Sequence, residues 1–137
     1  MTTAPALVDA EARRRIAEDV GRSLVVVAGA GTGKTGALVG RVVELVRGGA
    51  PLREVAVITF TEAAAAELGA RLSEALDGAV ASEPGHRLLR SALAEVDEAA
   101  VCTLHAFAQR MLVEHVLAAG LPPGFEVMDE LAERVDF

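Results

Sequence analysis

The chain has 137 residues, 52% of them hydrophobic and 24% charged, which is enough to bury one core of ordinary size. Its net charge of -7 at pH 7 gives no general attraction for phosphate backbones, so nucleic-acid binding would require a local site. One cysteine, no signal-peptide pattern and no apolar run near the ~20 residues that span a bilayer predict a cytoplasmic chain without a membrane partner.

The N-terminal part of the chain predicts a helix, a strand and a second helix. Residues 1–22 form a helical lead-in, with a solvated face at the arginine run 13–15. Residues 24–28 are a short run rich in valine, which is typical of a strand buried on both faces. A helix is predicted from Gly33 to about Arg47, and its apolar stripe comprises Leu38, Val42, Leu45 and Val46.

The same alternation continues toward the C-terminus. Apolar runs and periodicity predict strands at 55–60, 99–103 and 125–129, and helices at 62–78, 86–96 and from 104 to just before Gly120. Gly78 marks the end of a helix, and 79–85 a loop. Because strands separated by helices require crossover connections, we expect an α/β fold with a mainly parallel sheet and helices on both faces.

Residues 28–35 read AGAGTGKT, and Lys34 is the only lysine beside twelve arginines. Unsatisfied N–H groups at a helix start favour anions, so a glycine-rich turn there predicts a phosphate site. The amides of Gly31 to Thr35 would surround nucleotide phosphates, the flexible ammonium of Lys34 would reach the outer ones, and the Thr35 hydroxyl would hold Mg²⁺. The site comprises Ala28, Gly29, Ala30, Gly31, Thr32, Gly33, Lys34 and Thr35, with Ala28 where the usual form of the loop has glycine.

Three later segments point to one family. ITFTEAAAAEL (58–68) resembles motif Ia of the UvrD/Rep-like superfamily 1 DNA helicases, and VCTLHAFAQRML (101–112) resembles their Thr-x-His-x-Phe motif. LPPGFEVMDE (121–130) is similar to the segment that closes this part of their first motor domain. Thr61-Glu62, in place of an Asn-Lys pair, resembles the RecB/AddA branch of helicase-nuclease subunits.

The resemblance implies a P-loop NTPase with a RecA-like three-layer sandwich, of which 23–137 would be an incomplete motor domain that ends before the acidic Mg²⁺-binding motif. It implies an ATP-dependent DNA helicase or helicase-nuclease of DNA repair and recombination, with ATP and Mg²⁺ as cofactors. Lys34 and Thr35 would be its catalytic residues here, and single-stranded DNA would be its ligand. A possible partner is the other subunit of a helicase-nuclease complex. The DNA-contacting positions would be Phe60, Thr61, Thr103 and His105.

Several alternatives remain open on the residues themselves. Phe60 fits base stacking or core packing, and His105 fits a phosphate contact or a helix-facing role. Thr59 and Thr61 each fit a helix cap, Thr59 in a capping box with Glu62. Asp129-Glu130 is interpreted as structural, and no glutamine precedes the loop to read adenine, since Gln109 lies far downstream.

Two other functions compete with the helicase. One is a small P-loop phosphotransferase in which an acid such as Asp129 activates the acceptor. The other is a non-catalytic nucleotide-binding remnant. For the helicase itself, the sequence predicts that the 137-residue chain alone is catalytically incomplete, binds Mg-ATP weakly at best and hydrolyses it negligibly.

Overall fold

A computed structural model describes residues 9–122 and 124–125, and within them the regular elements are helices and a two-stranded sheet. In chain order they are α1 (Ala10–Glu18), α2 (Lys34–Arg47), β1 (Ala56–Thr59), α3 (Glu62–Ser82), α4 (Arg87–Ala94), β2 (Ala100–Thr103) and α5 (Leu104–Glu114). Short 3-10 helices at Leu52–Glu54 and Val96–Glu98 precede the two strands. No helix among the described residues is both long and apolar enough to cross a bilayer.

The sheet is parallel, as the alternation of strands and helices predicted. β1 pairs with β2 in a register that joins Ala56 to Ala100 and Thr59 to Thr103. Because the strands are parallel, their carboxyl ends lie at the same edge of the sheet. The chain therefore enters α3 and α5 from neighbouring points.

The core lies on one face of this sheet, where α2, α3 and α4 pack together. Its most deeply buried side chains are Leu72, Leu76, Leu89 and Val46. Val57 of β1 belongs to the same cluster, whereas Ile58, which points to the opposite face, is 42% exposed. The α/β class is confirmed, but in the described residues buried side chains cover one face of the sheet, not both.

The predicted strand at 24–28 does not form. Residues 23–29 have no regular structure, and the side chains of Val25 and Val27 are each 95% exposed. Leu24 and Val26 line a cavity beside α1 and α2, so only one side of the segment is covered. A strand requires a neighbouring strand to bind its N–H and C=O groups, and the described residues place none beside this segment.

Three further predictions were wrong in detail. α3 continues through Gly78 to Ser82, because Leu76 and Ala79 on either side of that glycine are buried in the core. The buried stripe of α2 is Val39, Val42, Val43 and Val46, with Leu38 39% exposed. α5 ends at Glu114, and none of its residues is buried.

The predicted fourth strand at 125–129 lies, apart from its first residue, outside the described residues, as do Asp129 and Glu130.

Candidate functional site

The phosphate loop is shaped by two glycines in left-handed conformations. Gly31 has φ 73° and Gly33 has φ 84°, a region that side chains rarely adopt. The Gly33 carbonyl accepts from the Ala37 amide at 3.0 Å, which starts α2. Ala28 does not need to be glycine, since no non-glycine residue in the described part of the chain has a positive φ.

Lys34 lies across the loop that precedes it. Its Nζ donates to the carbonyl of Gly29 at 2.6 Å and to that of Ala28 at 3.1 Å, and the side chain is exposed. An ammonium carries three N–H donors, so these two bonds leave one donor for a phosphate oxygen. The lysine therefore closes the loop and can still present charge to a ligand.

Two more side chains fix the backbone of the loop. The Thr32 hydroxyl donates to the Gly29 carbonyl at 2.8 Å, which ties one side of the loop to the other. The Thr32 carbonyl in turn accepts from Nη2 of Arg13 at 2.8 Å. Sequence reasoning assigned Arg13 to a solvated helix face, because a contact between residues 19 apart leaves no mark in helical periodicity.

The prediction of a metal site depends on Thr35, which is half-buried in the first turn of α2. Within residues 9–122, no group of three or more His, Cys, Asp or Glu side chains is placed to hold a metal ion. Mg²⁺ commonly takes one or two protein ligands and completes its shell with substrate phosphates and water. A single hydroxyl beside a phosphate loop fits that pattern.

Cavities near the loop are small or open. One of about 140 Å³ lies between α1 and the loop and is bordered by Asp9, Arg13 and Lys34. A second, of about 400 Å³, lies beside Lys34 and Arg41 on α2. A cavity of about 410 Å³ lies between α3 and the segment before β2, away from the loop, and is lined mainly by small side chains. Its size alone gives it no connection to the phosphate site.

The four predicted DNA-contacting residues come together at one edge of the sheet. Phe60 and Thr61 follow β1, and Thr103 and His105 stand at the end of β2 and the start of α5. Thr59 and Thr103 are register partners, so the two chain segments leave the sheet side by side. Phe60 is 90% exposed, so it does not pack into the core of the described residues, and His105 is exposed as well.

Both threonines at this edge cap helices. The Thr61 hydroxyl accepts from the Ala64 amide at 3.1 Å, and the Thr103 hydroxyl accepts from the Ala106 amide at 3.2 Å. Thr61, not Thr59, therefore starts α3. Thr103 is only 7% exposed, so its side chain supports the helix start and offers little surface to a ligand. Two helix N-termini, with their partial positive charge, thus lie next to each other.

Comparison with known proteins adds a family and its relatives. A family model described as UvrD/REP helicase N-terminal domain matches residues 8–137. An ATP-dependent helicase/nuclease subunit of Geobacillus thermodenitrificans is 38% identical over 113 residues, which are 80% of this chain and 9% of that protein. The protein of the same name from Ligilactobacillus salivarius is 35% identical over 125 residues, 89% of this chain and 10% of that protein. The protein of the same name from Moorella thermoacetica is 39% identical over 110 residues, which are 78% of this chain and 8% of that protein. The chain spans about a tenth of the length of these curated relatives.

Proposed function

The chain belongs to the UvrD/REP helicase N-terminal domain family, as its motifs predicted, and on this premise we propose that it is the ATP-binding portion of an ATP-dependent DNA helicase or helicase-nuclease. Such an enzyme acts in DNA repair or recombination. The observation that carries the proposal is the loop itself, in which Gly31 and Gly33 are left-handed and Lys34 reaches back across it.

The loop binds ATP by its phosphates. The amides of Gly31 to Thr35 surround the phosphate oxygens, together with the start of the α2 dipole. The free donor of Lys34 contacts the outer phosphates, where its positive charge stabilises the negative charge that develops as the terminal phosphate leaves. Ala28 and Gly29 take part through the carbonyls that hold Lys34 in place.

Thr35 is the residue of the loop that would hold Mg²⁺, through its hydroxyl oxygen. When bound with the nucleotide, the ion supplies charge neutralisation to the phosphates. Thr32 and Ala30 contribute the shape of the loop, because the Thr32 hydroxyl fixes the carbonyl of Gly29, immediately before Ala30.

The sheet edge is the place where single-stranded DNA would bind. Phe60, which is almost fully exposed, offers a face on which a base can stack without regard to sequence. His105 and the amides at the starts of α3 and α5 can donate to the phosphate backbone. Thr61 and Thr103 take part by capping these helices and so fixing where their amides point.

The wider assignment follows from the family. We assign residues 23–137 to a RecA-like P-loop motor domain with a three-layer sandwich fold, preceded by the helical lead-in. A second protein chain belongs to the same proposal, because the relatives are named as one subunit of a helicase/nuclease. The proposal also includes the cytoplasmic location that the sequence predicts.

Nucleotide binding by the 137-residue chain tests the proposal directly. We expect Lys34→Ala to weaken binding of a fluorescent ATP analogue with Mg²⁺ by about tenfold or more. This loss corresponds to the free energy of one hydrogen bond to a charged group. Lys34→Arg keeps the charge but not the compact, flexible ammonium, so an intermediate loss is expected.

Arg53→Ala is the matched control, because it removes an exposed cation from the 3-10 helix before β1. It should bind like the wild type. Equal binding by wild type and Lys34→Ala, or no binding by the wild type, would overturn the proposal.

A further inference from the structure

Arg13 on α1 is joined to the phosphate loop by a direct hydrogen bond. Its Nη2 donates to the Thr32 carbonyl at 2.8 Å, and a Cβ added to Gly33 would lie 3.2 Å from its Nη1. The guanidinium therefore lies against the Thr32–Gly33 peptide. Its side chain is 39% exposed and Thr32 is exposed, so this contact lies at the surface of the protein.

The contact fixes the direction of an amide that the loop needs. Peptide bonds in the described residues are all trans, and in a trans peptide the C=O and the N–H point to opposite sides. While the Thr32 carbonyl faces Arg13, the Gly33 N–H faces away from that guanidinium. A left-handed glycine such as Gly33 has wide conformational freedom, so a contact from outside the loop can help to fix the orientation of this peptide.

We propose that Arg13 is a positioning residue for the phosphate loop, which acts by holding the Thr32–Gly33 peptide so that the Gly33 amide is directed at the nucleotide phosphates. The role rests on the proposed ATP site. Arg13 need not touch ATP, since its effect passes through the peptide that it binds.

The forked shape of arginine is what allows this contact. Nε of Arg13 donates to Oδ2 of Asp9 at 2.9 Å while Nη2 reaches Thr32, so one planar group bridges the start of α1 and the loop. The same hydrogen bond and charge lower the pKa of Asp9 below its ordinary value, so the carboxylate that pairs with Arg13 stays ionised to lower pH than a free aspartate. Lysine carries no rigid fork and cannot reproduce both bonds in the same geometry.

The role of Arg13 can be separated from the attachment of α1. α1 has no buried residue, but Arg41 of α2 donates to the Ile16 carbonyl at 2.7 Å and to the Arg22 carbonyl at 2.9 Å. These bonds hold α1 and the following turn without Arg13. Loss of the Arg13 side chain should therefore loosen the loop and leave α1 in place.

The test compares Arg13→Ala, Arg13→Lys and Arg14→Ala in the 137-residue chain. Arg14 is the matched control, because it lies on the same helix and its side chain pairs with Glu11 and Glu18 among the described residues. We expect Arg13→Ala to weaken binding of both Mg-ATP and inorganic tripolyphosphate by about three- to tenfold, the value of one backbone hydrogen bond. Arg13→Lys should recover part of the loss, and Arg14→Ala should bind like the wild type.

A second readout does not depend on nucleotide. In ¹H–¹⁵N spectra of the ligand-free chain, Arg13→Ala should shift or broaden the Gly33 amide signal while the amide of Gly69 in α3 stays unchanged, and Arg14→Ala should change neither.

The two readouts distinguish the two proposals. If the wild-type chain binds neither Mg-ATP nor tripolyphosphate, the proposed ATP site is wrong. A shift of the Gly33 amide signal in Arg13→Ala would still show that Arg13 orients the Thr32–Gly33 peptide. If the wild type binds and Arg13→Ala binds equally well, or if the Gly33 amide is unchanged, the role of Arg13 is overturned.

Discussion

Gly33 meets two independent demands at the start of α2. Its φ of 84° lies in the left-handed region, where a Cβ costs roughly 1–2 kcal/mol. An added Cβ would also approach the Arg13 guanidinium to 3.2 Å, closer than most real contacts. The residue is thus fixed both by its own backbone and by the neighbour that holds the preceding peptide.

Gly33→Ala should therefore destabilise the chain by about 1–2 kcal/mol, and it should weaken Mg-ATP binding as well. Gly40→Ala is the matched control, because Gly40 lies inside α2 with open space for a Cβ. This substitution should stabilise the helix by up to about 1 kcal/mol. Urea unfolding of both variants measures the free energies. A Gly33→Ala variant as stable as the wild type would contradict the strain argument.

At the scale of single residues, the sequence predicted what a local motif can encode. The glycines and Lys34 lie within eight consecutive residues, so their spacing alone indicates a phosphate loop. The same reasoning could not predict the contact between Arg13 and the loop. Its contact with Thr32 arises from the way α1 lies on α2, and periodicity distinguishes a solvated arginine from a bonded one only when the partner is on the same helix.

Each strand of the sheet leads to a threonine that starts the next helix. Thr61 caps α3 and Thr103 caps α5, so sheet edge and helix start are built by the same short segments. α3 is the longest helix described and carries Leu68, Leu72 and Leu76 into the core. The cap therefore stabilises an element that contributes much of the buried surface.

Thr61→Ala should cost about 1 kcal/mol of folding free energy, since it leaves the Ala64 amide without its partner. Thr61→Ser keeps the hydroxyl and should stay within a few tenths of a kcal/mol of the wild type. Thermal unfolding followed by circular dichroism compares the two variants. Equal losses in both would show that the methyl group, not the cap, stabilises this position.

The elements that the sequence predicted correctly are those whose signals are close in the chain. β1, β2 and the starts of α2, α3 and α5 follow from local apolar runs and capping residues. The segment 24–28 has the composition of a strand, but composition cannot supply a neighbour to pair with. Conversely, α3 passes through Gly78 because burial of Leu76 outweighs the cost of about 1 kcal/mol for a glycine inside a helix.

On the scale of the whole molecule, the two proposed sites share one core. α2 begins at the phosphate loop and α3 begins at the sheet edge, and both contribute to the cluster that contains Val42, Val46 and Leu72. A shift of either helix would have to move against this packing, because close-packed interiors transmit strain. The arrangement gives the two proposed ligands, ATP and DNA, a common support.

Single-stranded DNA binding is the prediction that depends on this whole arrangement. The net charge of -7 opposes binding to the DNA backbone, so the 137-residue chain should bind a fluorescent oligo-dT only weakly. Stacking on an aromatic ring is worth about 1–3 kcal/mol per base, so Phe60→Ala should weaken binding by at least about fivefold. Phe60→Trp should retain it.

Phe60 is well suited to this experiment because its side chain is 90% exposed. Its removal should leave the unfolding free energy within about 0.5 kcal/mol of the wild type, as for other surface changes. Val113→Ala on α5 is the control, since Val113 is 58% exposed and lies outside the sheet edge. Fluorescence anisotropy measures all four proteins. If a base stacks on Phe60 at the end of β1, Phe60→Ala should lose affinity for DNA while Val113→Ala should not. An equal loss of affinity in Val113→Ala would contradict DNA binding at this sheet edge.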